Sequence, residues 1–210
     1  MMYPTGHVQS LRKRHAVRWQ SFAAHPFLQR LRRGDVPSAA LDRWLTQLYY
    51  FDELMMRFQL GLLRQAPREH RALLAQIVLN MVEEMDWLLE EGADLTEAPD
   101  VPRQAYQRFF RDLESLPYPH LTVLHWATHH VFIDALKTVN TPDERLRAIL
   151  ERWADDGFGA ILHDLTALAD EALECVELPE LDAPLNRLFD LEQSSWDTAL
   201  RMAEEAERSS

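Results

Sequence analysis

The sequence predicts an all-α protein, a single-domain bundle of about seven helices spanning residues 1–210. Three observations predict it. Glycine is scarce, at 6 of 210 residues, below half the usual ~7%; this argues against sandwiches, barrels and Gly-looped nucleotide folds. Apolar residues make up 47% of the chain, and a chain of this length buries roughly 70% of its unfolded surface without disulfide staples. Chain-breaking residues are sparse and evenly spread, and the runs between them carry apolar residues at steps of three and four.

The breaks are Gly34-Asp35-Val36-Pro37, Ala66-Pro67-Arg68-Glu69, the stretch from Gly92 to Pro102, Pro117-Tyr118-Pro119, Asn140-Thr141-Pro142 and Leu178 to Pro184. They leave helical segments near 8–32, 38–65, 69–91, 103–115, 120–139, 143–175 and 184–207. Ser38 is the expected cap of the second. Thr141, with Pro142 at the first helical position and Glu144 three residues on, is the expected cap of the sixth. Within the second segment Leu41, Trp44, Leu48, Phe51, Met55, Phe58 and Leu62 form one apolar stripe. Residues 121–136 are apolar almost all round, as expected of a central helix. No run alternates as a strand would, and no repeat or dividing linker is visible.

Asp and Glu number 34 against 22 Lys and Arg, a formal charge of −12. That excess argues against nucleic acid and anionic membrane as partners, since both require surplus cations. No stretch reaches the ~18 apolar residues of a membrane span, and the opening residues show no leader pattern. Cys175 is the single cysteine, so an internal disulfide and a Cys-based zinc site are excluded. A cytoplasmic protein is the expectation.

Candidate chemistry sits at three places. In the last segment Leu185, Leu188, Phe189, Glu192, Trp196, Ala199 and Leu200 share a face. Glu192 therefore points where the hydrophobes point. Desolvation raises the pKa of such a carboxyl and suits it to proton transfer near neutral pH. The alternative is a structural Glu paired with an Arg or a Tyr hydroxyl on a neighbouring helix. His125 and His129 stack four apart on the apolar helix, beside His130 and Asp134. That spacing suits a polar pocket, a metal or hydrogen-bonded core histidines, and no Glu follows His125 as a zincin motif requires. Tyr49, Tyr50, Tyr106, Trp126, Trp153 and Trp196 supply aromatic surface for a core or a pocket. The run Glu83-Glu84, Asp86 and Glu90-Glu91 reads as a solvated face, with Glu84 closest to the Ile77–Met81–Leu88 stripe.

Three stretches together resemble the TenA family of thiaminase II-like pyrimidine-salvage hydrolases, within the heme oxygenase-like superfamily. They are His25-Pro26-Phe27-Leu28-Gln29-Arg30-Leu31 with Gly34 and Pro37, followed by Trp44-Leu45-Thr46-Gln47-Leu48-Tyr49-Tyr50; then Trp153-Ala154-Asp155-Asp156-Gly157-Phe158; then Leu191-Glu192-Gln193-Ser194-Ser195-Trp196-Asp197-Thr198-Ala199. The resemblance implies a heme oxygenase-like helical bundle and a homo-oligomer, dimer or tetramer. It also implies one pocket for a small heterocyclic ligand and no cofactor. It assigns acid/base catalysis to Glu192 and places Tyr106 and Trp153 near the substrate. Two departures stand out. Leu48 occupies the place of the family's pyrimidine-binding Asp, and the family's nucleophilic Cys is replaced by His125 or Ala127.

The reading that follows is a Cys-less TenA-like hydrolase cleaving a C–N bond of a thiamin-pyrimidine-related or altered heterocycle. Glu192 shuttles the proton, and His125 or His129 activates water. Leu48, Tyr50, Tyr106 and Trp153 shape the substrate site, with no metal. The alternative is a non-catalytic small-molecule-binding or regulatory relative. A metal-dependent oxidase ranks third. A haem ligand would fall nearer Trp19 than His15 or His25, and the di-iron positions Glu83, Glu90, Asp155, Gly159 and His163 lack too many ligands.

Overall fold

The computed structural model describes residues 6–209; Met1–Thr5, read above as carrying no leader, lies outside them. The described residues form ten α-helices and no strand: α1 His7–Arg14, α2 Ala16–Ser21, α3 Pro26–Arg33, α4 Ser38–Gln65, α5 Arg71–Glu90, α6 Val101–Leu113, α7 Tyr118–Leu136, α8 Glu144–Arg152, α9 Asp156–Ala172 and α10 Asp182–Ser209. The all-α class stands, and most predicted segments map to single helices. Two segments are divided. The first becomes α1 to α3, because His15 leaves the helical region (φ −107°, ψ 15°) and His25 is extended (φ −60°, ψ 138°) ahead of Pro26, whose ring disfavours a helical predecessor. The sixth is cut after Arg152, where Asp155 turns extended and accepts a hydrogen bond from the Phe158 N–H at 2.7 Å.

Both expected caps move. Ser38 is the first residue of α4, with Pro37 at the N-cap. In α8 the cap is Asp143, which accepts from the Leu146 N–H at 2.7 Å, while Thr141 Oγ1 accepts from the Asp143 N–H at 3.2 Å. The carboxylate is the stronger acceptor for an orphan helical N–H, so the threonine closes the preceding turn instead. At the end of α3, Gly34 adopts φ +67°, which only glycine takes without strain.

The chain forms two compact units. One comprises the stretch up to Gly34 with Leu116–Asp190, the other Asp35–Ser115 with the stretch from Leu191 on. In the first, α7 packs on α9 and is buried continuously from Leu121 to Thr128, as its uniformly apolar sequence predicts. Trp19, Phe22 and Phe189 form an aromatic group, their centroids 5.9 and 6.1 Å from that of Phe189. In the second, α4 packs on both α5 and α6. Its predicted stripe supplies Leu41, Trp44, Leu48, Met55, Phe58 and Leu62 to the core, with Phe58 stacked on Phe110 at 5.0 Å. No helix among the described residues is long and apolar enough to cross a membrane.

Candidate functional site

The second unit holds Glu192, Tyr106, Leu48 and Tyr50. Glu192 lies on α10 among Leu191, Trp196 and Ala199, and is 4% exposed. Tyr106, on α6, is fully buried and donates its hydroxyl to Glu192 Oε1 at 2.6 Å. Burial raises the Glu192 carboxyl to about 7, against the opposing pulls of the Tyr106 hydrogen bond and the Arg103 charge. The Tyr106 phenol is driven well above its ordinary value by burial, then by the neighbouring Glu192. The pair thus joins a firmly protonated phenol to a carboxyl that exchanges its proton near neutrality.

What places Tyr106 is a row of polar side chains on α4. Thr46 Oγ1 accepts from the Asp94 N–H at 2.8 Å. Gln47 is 2% exposed; its Nε2 donates to Ala98 O at 3.3 Å and its Oε1 accepts from the Asp100 N–H at 2.8 Å. Tyr50 donates its hydroxyl to Glu97 O at 2.7 Å. These bonds fasten residues 94–100 along α4 and deliver Asp100 to the N-cap of α6, where its carboxylate accepts from the Arg103 N–H at 2.8 Å. Tyr50, expected to shape the substrate site, has its hydroxyl engaged by this loop. Leu48 is 6% exposed, within the α4 core stripe.

Two residues here escaped the sequence reading. Arg103 is 5% exposed and lies beside the rings of Phe51 and Tyr106, its guanidinium carbon 5.2 and 5.6 Å from their centroids. Asp52, one turn beyond Leu48, is half-buried. Its carboxyl is raised well above the usual range by burial and by Glu84, with Arg103 opposing. The available signal was the one that exposed Glu192. Arg103 runs at helical spacing with Tyr106 and Phe110, and Asp52 interrupts the apolar stretch of α4. Glu83, Asp86 and Glu90 are solvent-facing as expected, while Glu84 is half-buried.

The first unit holds His125, His129 and Trp153. His125 is fully buried, and its Nε2 lies 3.2 Å from His129 Nε2, the rings edge to face at 4.9 Å. Burial and His129 hold His125 well below its usual pKa; burial and His130 push His129 down to about 4. Both imidazoles are therefore neutral at pH 7, and one Nε2–H is shared between two nitrogens. His130 Nε2 and Trp126 Nε1 each meet Thr166 Oγ1 at 3.1 Å, and the hydroxyl itself donates to Leu162 O at 2.7 Å. Asp134 accepts from Trp19 Nε1 at 3.0 Å and pairs with Arg12. Trp153 meets Phe132 edge to face at 5.7 Å and lines a cavity of about 250 Å³ with Ile133, Leu136 and Leu150. Among the described residues no three His, Cys, Asp or Glu side chains gather in a metal-binding group. Cys175 is exposed.

Known proteins agree with this architecture. Residues 12–109 match the sequence profile of the TENA/THI-4/PQQC family. A soybean (Glycine max) protein named "Probable bifunctional TENA-E protein" is 24% identical over 214 residues, covering 91% of this chain and 92% of its own. A TenA homologue from P. horikoshii superposes with a TM-score of 0.83 at 14% identity, over 94% of this chain and all of its own. A protein described as a TenA family transcription regulator, from a Silicibacter species, gives 0.81 at 17% identity, over 95% and 99%. Residues 12–109 are thus similar to the TENA/THI-4/PQQC family, and the chain shares the all-α fold of its TenA neighbours.

Proposed function

We propose that this TenA-like chain is a hydrolase that cleaves a C–N bond of a small heterocyclic substrate, with Glu192 as the general acid and base. The observation that carries this reading is the buried Tyr106–Glu192 hydrogen bond at 2.6 Å, on a carboxyl raised to about 7 by its burial. Such a group holds a proton to give and accepts one back at the same pH. In the step, the C–N bond breaks as a C–O bond to water forms. The nitrogen leaves with the Glu192 proton, and a proton from the attacking water returns the carboxylate to its acid. Tyr106 orients the carboxyl and remains protonated throughout. His125 and His129 are assigned the activation of water as neutral hydrogen-bond acceptors, the proton itself passing to Glu192. Leu48 makes the ligand edge it meets less polar than an aminopyrimidine, and Trp153 contributes aromatic surface. No metal or cofactor has a part in these steps.

Turnover of a confirmed substrate by Glu192→Gln is the test. The expected result is a fall of at least about a hundredfold with ligand binding retained; undiminished turnover would sink the reading. The second reading, a ligand-binding regulator without catalysis, is favoured by the description of the Silicibacter neighbour. It is supported if heterocycles raise the melting temperature but none is consumed. A cytoplasmic homo-oligomer, dimer or tetramer, is part of the proposal. It is supported by the exposed Leu60 of α4 and Leu79, Val82 and Leu89 of α5, apolar surface of the kind that self-association covers. Light scattering showing a monomer would remove that part.

A further inference from the structure

The second unit buries a cation that keeps one donor without an acceptor among the described residues. Arg103 is 5% exposed, yet its Nε has no hydrogen-bond partner among the described residues. The nearest carboxylate oxygen is Asp100 Oδ1, 3.9 Å from Nε. That is beyond hydrogen-bond reach, and the same oxygen is already occupied by the Arg103 backbone N–H at 2.8 Å. Phe51 and Tyr106 flank the guanidinium and attract its charge, but their rings offer no acceptor in the plane of the N–H groups. A buried guanidinium is ordinarily engaged by a bidentate carboxylate, because desolvating it without acceptors is costly. Tyr106 also holds Glu192, so the unpartnered Nε–H belongs to the same group of side chains as the acid/base carboxyl.

We propose that Arg103 anchors the carboxylate of the ligand, and that the ligand class is an aromatic or heteroaromatic monocarboxylate. The proposal rests on the reading that the ligand binds beside Glu192. A flat, two-oxygen anion matches the guanidinium fork, and the half-buried ring of Phe51 beside it suits an attached aromatic ring. A single negative charge is specified as well. Asp52, Asp100 and Glu192 all lie within the electrostatic reach of Arg103, and three acids disfavour a dianionic phosphate. A monoanion is tolerated, because burial holds Asp52 and Glu192 toward their neutral forms.

Calorimetric titration with matched pairs tests this: pyrimidine-5-carboxylate against its carboxamide, nicotinate against nicotinamide, and benzoate against benzamide. For at least one pair the carboxylate binds about tenfold or more tighter than the amide to the wild type, a difference of roughly 1.4 kcal/mol. Arg103→Gln erases that preference. Arg103→Lys retains only part of it, having the charge without the fork, and serves alone if the Gln variant does not fold. Equal affinities throughout, no binding by any pair, or a full preference surviving in a folded Arg103 variant overturns the proposal. Glu192→Gln separates the two readings: loss of turnover with the carboxylate preference intact supports both. Loss of turnover without any preference leaves only the acid/base role, and preference with undiminished turnover leaves only the anchor.

Discussion

Tyr106 and Glu192, 86 positions apart in sequence, meet at 2.6 Å in a buried hydrogen bond whose donor stays protonated and whose acceptor titrates. The bond lowers the Glu192 pKa while burial raises it. Tyr106→Phe removes the lowering influence and keeps the burial. The Glu192 pKa should therefore move above about 7, and any catalytic pH profile set by it should shift alkaline. Carboxyl titration followed by infrared or NMR spectroscopy measures it. An acid shift would contradict the balance described. The variant should also lose about 1 kcal/mol of stability.

Glu192 and the histidines pull the pH dependence of stability in opposite directions. The folded-state pKa of Glu192 is raised from 4.5 to about 7, so the native state binds the proton more tightly. Its contribution is full below pH ~4.5 and is lost as pH rises through about 7, a change on the order of 3 kcal/mol. His129 is lowered from 6.5 to about 4, so the unfolded chain takes its proton first. Its contribution is full above pH ~6.5 and is lost as pH falls through about 4. Denaturation curves from pH 4 to 8 should therefore differ in slope. Glu192→Gln should gain relative stability toward pH 8, and His129→Gln toward pH 4. Parallel curves for wild type and both variants would refute the assignment.

The cap of α8 offers a local check. Asp143→Ala removes the acceptor of the Leu146 N–H and should cost about 1 kcal/mol. Thr141→Ala removes only the 3.2 Å turn contact and should cost less. Thermal melting of the two proteins settles the order, and the reverse order would restore Thr141 as the cap.

Thr166 serves two buried rings at once, Trp126 and His130. Thr166→Val preserves shape and removes both partners, so a buried indole N–H loses its acceptor. The expected loss is about 2 kcal/mol. A double-mutant cycle with Trp126→Phe should show that most of it vanishes once the indole is absent.

The long helices were legible because their apolar residues keep one period. The stripe from Leu41 to Leu62 became the core face of α4, and the unbroken apolar run at 121–136 became the continuously buried part of α7. Glu192 was legible for the same reason, as one acid on an otherwise apolar face. The helix breaks at His15 and Asp155 were not. They depend on single backbone torsions and on one side-chain cap, neither of which alters composition. Arg103 escaped because a charged residue in a first helical turn is ordinary, and only the packing of Phe51 against it shows that it is buried. Asp52 escaped for a related reason: it interrupts the apolar stretch of α4, but Glu53 follows it, and two adjacent acids read as a solvated pair.

The grip of Thr46, Gln47 and Tyr50 on residues 94–100 has a kinetic consequence. Each of these bonds spans 47 to 53 positions, so the intervening chain must close a loop of about fifty residues before α6 can settle. The α4–α5 hairpin lies inside that loop and can form from nearer contacts. Tyr106 therefore reaches Glu192 late, after the hairpin is in place. Pulse-labelled amide exchange should show α4 and α5 protected before α6. Gln47→Ala should delay protection of α6 while leaving that of the hairpin unchanged.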